Sequence, residues 1–80
     1  MDLDEIAARI EAEIPDASAE VSRARGHHDD DHLAATVVSP AFEGETLVDR
    51  HQRVYDALGE LMTTEIHALE VETYAPDERD

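Results

Sequence analysis

Residues 32–74 have the sequence HLAATVVSPAFEGETLVDRHQRVYDALGELMTTEIHALEVETY. Apolar and small side chains fill residues 32–39 and predict a strand, and Pro40 and Gly44 then predict a turn. Apolar residues recur next at helical spacing: Leu47, Val48, Val54, Tyr55, Leu58, Leu61 and Met62. The alternating residues 67–74 predict a second strand. These signals together predict a βαβ unit whose single long helix is capped by Thr46.

A helix is predicted near the start of the chain. Its apolar stripe consists of Leu3, Ile6, Ala7, Ile10 and Ile14. Asp2 and Glu5 have the spacing of a capping box, and Pro15 ends the helical pattern. We therefore expect one short amphipathic helix before the first strand.

The segment between this helix and residue 32 predicts a strand and a loop. Residues 19–24 alternate weakly, with Ala19 and Val21 on one face, as in a short edge strand. Residues 25–31, RGHHDDD, contain no apolar side chain to bury, so they predict an exposed hairpin loop.

The element order predicts the topology. A strand–helix–strand crossover within one sheet is almost always right-handed and joins parallel strands, so the strands at residues 32–39 and 67–74 should be parallel. The first strand should pair antiparallel through the hairpin. The predicted fold class is α+β, an α-β-β-α-β two-layer sandwich with helices on one face of a three-stranded mixed sheet. Eighty residues allow a single domain, and residues 76–80 are expected to be a frayed acidic tail.

The charge balance is strongly acidic. The chain has 21 acidic and six basic residues, its net charge is −15, and lysine is absent. Such self-repulsion needs screening, and because the Debye length falls to about 3 Å at 1 M salt, we hypothesise a salt-rich cytoplasm, as in a halophilic archaeon. An acidic surface that serves solubility alone is the alternative.

The composition also limits the kinds of partner and site. High negative charge argues against routine nucleic-acid binding, which depends on lysine and arginine. The absence of cysteine excludes disulfides, so any thiolate at a metal site must come from another molecule. Without a signal-like or membrane-spanning apolar run, we expect a cytoplasmic protein that does not enter the membrane. No catalytic constellation is present, so we predict that the chain is not an enzyme.

Three motifs together resemble the BolA family: SPAFEG at residues 39–44, RHQRVY at 50–55, and IHALEVETY at 66–74 followed by acidic residues. The resemblance covers about half of the chain. It implies the same α-β-β-α-β fold, which is similar to the type II KH topology. It also implies that the protein handles iron–sulfur clusters as a partner of a monothiol glutaredoxin.

The histidines are the candidate ligands. His67 shares strand parity with Leu69 and Val71, and from position alone it is either a rim residue or a metal ligand. The BolA resemblance implies that His67 ligates a [2Fe–2S] cluster, with thiolates from the glutaredoxin and its bound glutathione. It further implies a second ligand from the loop before the central strand, residues 25–31. His28 is the preferred candidate, and His27 and His32 are the alternatives. Adventitious binding of zinc, nickel or copper by this loop is the counter-hypothesis.

The long helix offers an alternative function. His51 lies on its apolar stripe and should face the sheet, whereas Arg50 and Arg53 lie on the other side. The two arginines either pair with Asp49, Asp56 or neighbouring acids, or they contact phosphate. Some BolA proteins are transcription regulators, so a nucleic-acid-binding regulator that uses residues 42–55 is the alternative to the cluster adaptor. A small interaction domain with incidental histidines is a third hypothesis. Besides the glutaredoxin, a second copy of the chain is a candidate partner, as a homodimer.

Overall fold

The computed structural model describes residues 2–24, 32–64 and 68–78. Its elements are α1 (Leu3–Glu13), β1 (Ser18–Arg23), β2 (His32–Val38), α2 (Leu47–Leu58), α3 (Leu61–Thr64) and β3 (Ala68–Tyr74), with 3-10 turns at Pro40–Phe42 and Pro76–Glu78. The predicted α+β class and the order of its main elements are confirmed. The short helix α3 is an addition to the predicted order. No helix in the described ranges is both long and apolar enough to cross a membrane.

The sheet has the strand order β1-β2-β3. β1 pairs antiparallel with β2, placing Val21 opposite Ala35, and β2 pairs parallel with β3. Both pairings confirm the predicted topology. β1 runs one residue earlier than predicted at each end, and β2 ends one residue earlier, before Ser39.

The helices cover one face of this sheet. In β2 the side chains of Leu33, Ala35 and Val37 are buried, while the residues between them are half-buried on the open face. This alternation is expected for a strand with one face on the core, since successive side chains point to opposite faces. The buried cluster comprises Ile6, Ile10, Ile14, Leu33, Ala35, Val37, Phe42, Val54, Ala57 and Leu58.

The start of α1 is capped as predicted, but with a different bond. The Asp2 carboxylate accepts a hydrogen bond of 3.1 Å from the amide of Asp4. The amide of Glu5, which the capping box assigned to that carboxylate, instead donates to the backbone carbonyl of Asp2. Asp2 therefore accepts from three of the first amides of the helix, that of Asp4 with its side chain and those of Glu5 and Ile6 with its carbonyl.

The predicted long helix is in fact two helices. α2 begins after Thr46, whose Oγ1 accepts from the amide of Asp49 at 3.2 Å, and it ends at Leu58. Gly59 follows with φ 54° and ψ −125°, and its amide donates to the Tyr55 carbonyl at 2.9 Å. This backbone conformation is open almost only to glycine and cannot continue a helix. The apolar stripe hid the break because Leu61 and Met62 still pack against the core from α3.

Ser39 joins the end of β2 to the helical layer. It is fully buried, its Oγ donates to the Pro15 carbonyl at 2.6 Å, and the same Oγ accepts from the Ala41 amide at 3.0 Å. A buried hydroxyl with both roles satisfied stabilises the turn and holds the end of α1 against it. The adjacent Phe42 is fully buried, and Gly44 completes the turn at φ 77°.

Candidate functional site

The amino ends of β2 and β3 meet at one end of the sheet. Because the two strands are parallel, His32 lies directly opposite Ala68. On the neighbouring strand, the amide of Ala24 donates to the His32 carbonyl at 2.8 Å and closes the base of the hairpin. In the sequence, Ala24 and His32 flank residues 25–31, and Ala68 follows residue 67. These three flanking residues lie at the same end of the sheet.

Three of the four predicted ligands, His27, His28 and His67, lie outside the described residues. The fourth, His32, is half-buried at the first position of β2. It lines a cleft of about 320 Å³ together with Ala24, Leu33, Ala68 and Glu70. Within the described ranges, no group of three or more histidine and acidic side chains could hold a metal ion. The assignment of the four ligands stays a prediction.

His51 faces the sheet, as its place on the helical stripe predicts. It is half-buried and lines a groove between α2 and β3 with Leu47, Val71, Glu72, Thr73 and Tyr74. Its Nε2 is buried and has no hydrogen-bond partner. This groove is lined by Val71 to Tyr74 of β3, whereas the cleft at His32 is lined by Ala68 and Glu70, nearer the start of the strand.

Arg50 is held by the carboxyl-terminal turn. Its Nη1 and Nη2 donate to the two carboxylate oxygens of Glu78 at 2.6 and 3.1 Å, and its Nε donates to the Glu45 carbonyl at 3.1 Å. The guanidinium carbon lies 6.0 Å from the centre of the Phe42 ring, and the Arg50 side chain is only 12% exposed. This bidentate geometry is among the strongest that arginine makes with a carboxylate. The contacts with Glu78 and Glu45 therefore use the guanidinium N–H groups with which Arg50 would bind a phosphate.

The same contact changes the acidity of Glu78. The pKa of the Glu78 carboxyl is lowered to about 2, chiefly by the hydrogen bonds from Arg50. The hydrogen bond from the Ala75 amide, at 2.8 Å, contributes next. Residues 76–78 form a 3-10 turn, where the sequence had predicted a frayed tail. Residues 79 and 80 lie outside the described ranges.

Arg53 also has an acidic partner. Its Nε donates to Glu45 Oε1 at 2.6 Å, and this hydrogen bond lowers the pKa of the Glu45 carboxyl. The sequence had suggested Asp49, Asp56 or neighbouring acids as partners, and Glu45, just before the helix, is such a neighbour. Glu78 was not suggested, because it is 28 residues from Arg50 and only the folded turn brings it to this arginine. Arg50 and Arg53 are thus partnered within the fold, which does not favour the phosphate-contact hypothesis.

The elements described above define a class: a small α+β domain with two main helices on one face of a three-stranded mixed sheet. A family model described as BolA-like protein matches residues 3–78. The chain therefore belongs to the BolA-like family, as its motifs predicted.

Curated relatives have two kinds of name. The chain is 33% identical over 75 residues to "SufE-like protein 1, chloroplastic/mitochondrial" of Arabidopsis thaliana, covering 86% of this chain and 20% of that protein. It is 42% identical over 55 residues to "Protein BOLA1, chloroplastic" of the same plant, covering 68% and 34%. It is 40% identical over 43 residues to "DNA-binding transcriptional regulator BolA" of Escherichia coli, covering 54% and 41%. The chain thus spans less than half the length of these relatives, and none of them supports the predicted halophilic archaeal source.

Solved structures share the fold over nearly the whole chain. A bolA protein homologue from Coxiella burnetii superposes with a TM-score of 0.81 at 37% identity, covering 98% of this chain and 95% of the other. BolA1 from Arabidopsis thaliana gives a TM-score of 0.82 at 28% identity with the same coverage. The match extends over both the helical layer and the sheet.

Proposed function

We propose that this BolA-like protein is an adaptor for iron–sulfur clusters, which binds a monothiol glutaredoxin and shares a bridging [2Fe–2S] cluster with it. His67 is the leading ligand and His28 the preferred second one, with His27 and His32 as alternatives. The partner and its bound glutathione supply the thiolates that this cysteine-free chain lacks. The chain ligates and does not turn over a substrate.

One observation carries the proposal: the parallel register that sets His32 opposite Ala68. It brings the ends of the histidine-rich loop and the residue after His67 to one end of the sheet. Imidazoles fit the cluster chemically, since histidines replace cysteines on one iron of a Rieske centre and raise its potential. The name of the SufE-like relative is in keeping with this class of chemistry.

The regulator hypothesis has weaker support from the geometry. One relative is named a DNA-binding transcriptional regulator. In this chain, however, Arg50 is mostly buried and both helix arginines are paired with glutamates. Net charge of −15 adds long-range repulsion from a phosphate backbone. We therefore retain the cluster adaptor as the proposed function.

Cluster spectroscopy with matched histidine variants tests the proposal. The chain is co-expressed with a monothiol glutaredoxin, and visible absorption and circular dichroism are compared for wild type, His67→Ala, His28→Ala and His51→Gln. Loss or alteration of the cluster spectrum is expected for His67→Ala and, if the loop assignment holds, for His28→Ala. His51→Gln is the control, because this histidine lies on α2 and does not line the cleft at His32. Identical spectra for wild type and His67→Ala would rule out the ligand assignment.

A further inference from the structure

The outer edge of β3 has backbone groups available for pairing. The Tyr74 carbonyl accepts from the Ser39 amide at 3.0 Å, so the backbone of Tyr74 points toward β2. Backbone N–H and C=O groups alternate in direction along a strand, and those of Leu69, Val71 and Thr73 must therefore point away from β2. Among the described strands, β3 pairs only with β2. A strand edge of this kind is a template for another extended chain.

An apolar groove runs along this edge. It has a volume of about 310 Å³ and is lined by residues of both strand parities: Val71 and Thr73 on the helix side, Glu72 and Tyr74 on the open side. Leu47, in the first turn of α2, lines the other wall and is 63% exposed, and the adjacent Val48 is 76% exposed. They are the large apolar side chains most exposed in the described ranges. Their exposure beside an unpaired strand marks an interaction surface.

The groove also contains two unpartnered polar atoms. Thr73 is only 7% exposed, and its Oγ1 has no hydrogen-bond partner. The Nε2 of His51, on the facing helix, is likewise buried without a partner. A buried polar group without a hydrogen bond costs about 1–3 kcal/mol, so the chain by itself leaves this groove incompletely satisfied.

Charge selects the occupant. Glu70 and Glu72 project from the open side of the edge and are exposed. A second copy of this chain would set these glutamates against one another, within a molecule of net charge −15. A basic segment would face them favourably. In an added strand, side chains alternate between the open face, toward the glutamates, and the helix side, toward Leu47 and Val48.

We propose that the β3 edge and the first turn of α2 form a docking surface for an extended segment of a partner protein, in which basic and apolar residues alternate, bound as a fourth strand. Its backbone pairs with the outward groups of Leu69 and Val71. Its apolar residues cover Leu47 and Val48, and its basic residues face Glu70 and Glu72. This surface adjoins the proposed cluster site at one residue, because Glu70 also lines the cleft that contains His32.

Binding of a designed peptide tests the surface on the intact chain. The probe is a dye-labelled peptide of about eight residues in which lysine and valine alternate, and its fluorescence anisotropy is measured at about 0.1 M KCl. We expect Leu47→Asp, and separately Glu70→Lys with Glu72→Lys, to weaken binding about tenfold or more. Glu20→Lys is the matched control, because this exposed glutamate lies on β1 at the opposite edge. It should change binding less than about twofold.

Modified peptides separate strand addition from simple charge attraction without altering the protein. N-methylation of alternate amides on one side removes ladder hydrogen bonds but keeps every side chain, and a block peptide keeps the composition but loses the alternation. Both should bind much more weakly than the parent. Equal binding of all three peptides, or equal weakening by Glu20→Lys, would overturn the proposal. Dimerisation of the chain that Leu47→Asp abolishes, measured by sedimentation equilibrium, would also overturn it in favour of a second copy.

Discussion

The carboxylate of Glu78 fastens the end of the chain to α2. It receives two hydrogen bonds from Arg50 and one from the Ala75 amide, and its pKa falls from an ordinary value near 4.5 to about 2. A carboxyl whose pKa is lower in the folded protein than in the unfolded chain contributes stability above the unfolded pKa. That contribution disappears as the pH falls toward the folded pKa.

We therefore expect Glu78→Gln to lower the urea midpoint at neutral pH and to lose this effect between about pH 4.5 and pH 2. The measurement is the difference in urea midpoint between wild type and variant at several pH values, because every other carboxyl titrates in both proteins. Asp77→Asn, an exposed neighbour in the same turn, serves as control. A difference that stayed constant down to pH 2.5 would show that the carboxylate charge is not what holds the turn.

At the scale of elements, Gly59 separates α2 from α3. A Cβ at this position would meet only ordinary contacts, with Arg9 Nη2 at 3.8 Å and the Asp56 carbonyl at 3.9 Å. Space is therefore not the restriction at this position. The restriction is backbone conformation, because φ 54° with ψ −125° is strained for any L-residue with a side chain.

We expect Gly59→Ala to destabilise the fold by about 1–3 kcal/mol, measured as a loss of unfolding free energy in urea. Asp16→Gly is the reciprocal control. Asp16 is a non-glycine residue at φ 54°, so glycine there should be neutral or slightly stabilising. A stable Gly59→Ala protein would mean that α2 and α3 can merge into the continuous helix that the apolar stripe predicts.

At the scale of the whole molecule, negative charge opposes the compact state. Arg50 and Arg53 pair with Glu78 and Glu45. In the described ranges, nearly all acidic residues are exposed. Self-repulsion of this kind is long-ranged in dilute buffer and short-ranged in concentrated salt.

We expect the thermal midpoint to rise from dilute buffer to about 1 M KCl, where the Debye length is about 3 Å. A variant with Glu13→Gln, Glu20→Gln and Glu43→Gln, three exposed sites, should respond less to salt. If the thermal midpoint rose equally in both proteins, the stabilisation would reflect a general effect of salt on the burial of apolar surface. A wild-type midpoint that did not rise would remove the physical basis of the halophile hypothesis.

Local patterns were sufficient to predict most of the architecture. The alternation in β2 and β3 and the stripe in α1 follow from which faces are apolar, and the parallel pairing follows from the handedness of a crossover. The predicted ends of these elements were less accurate. The break at Gly59 went unnoticed because the apolar residues on both sides of it are spaced as in one helix, although the backbone between them is not helical.

The sequence by itself determined the element order, the one-sided core and the family, because these depend on periodicity and on motifs of adjacent residues. Only the tertiary structure decided the partners of Arg50 and Arg53, the ordered turn at Glu78, and the groove in which His51 and Thr73 lie unpartnered. Glu78 is 28 residues from Arg50, and Thr73 and His51 lie on different elements, so no local pattern could predict these neighbours. Glu45 is close to Arg53 in sequence but lies before the helix, outside the helical spacing. Long-range contacts are set when α2 docks on β3, and that docking depends on the whole core.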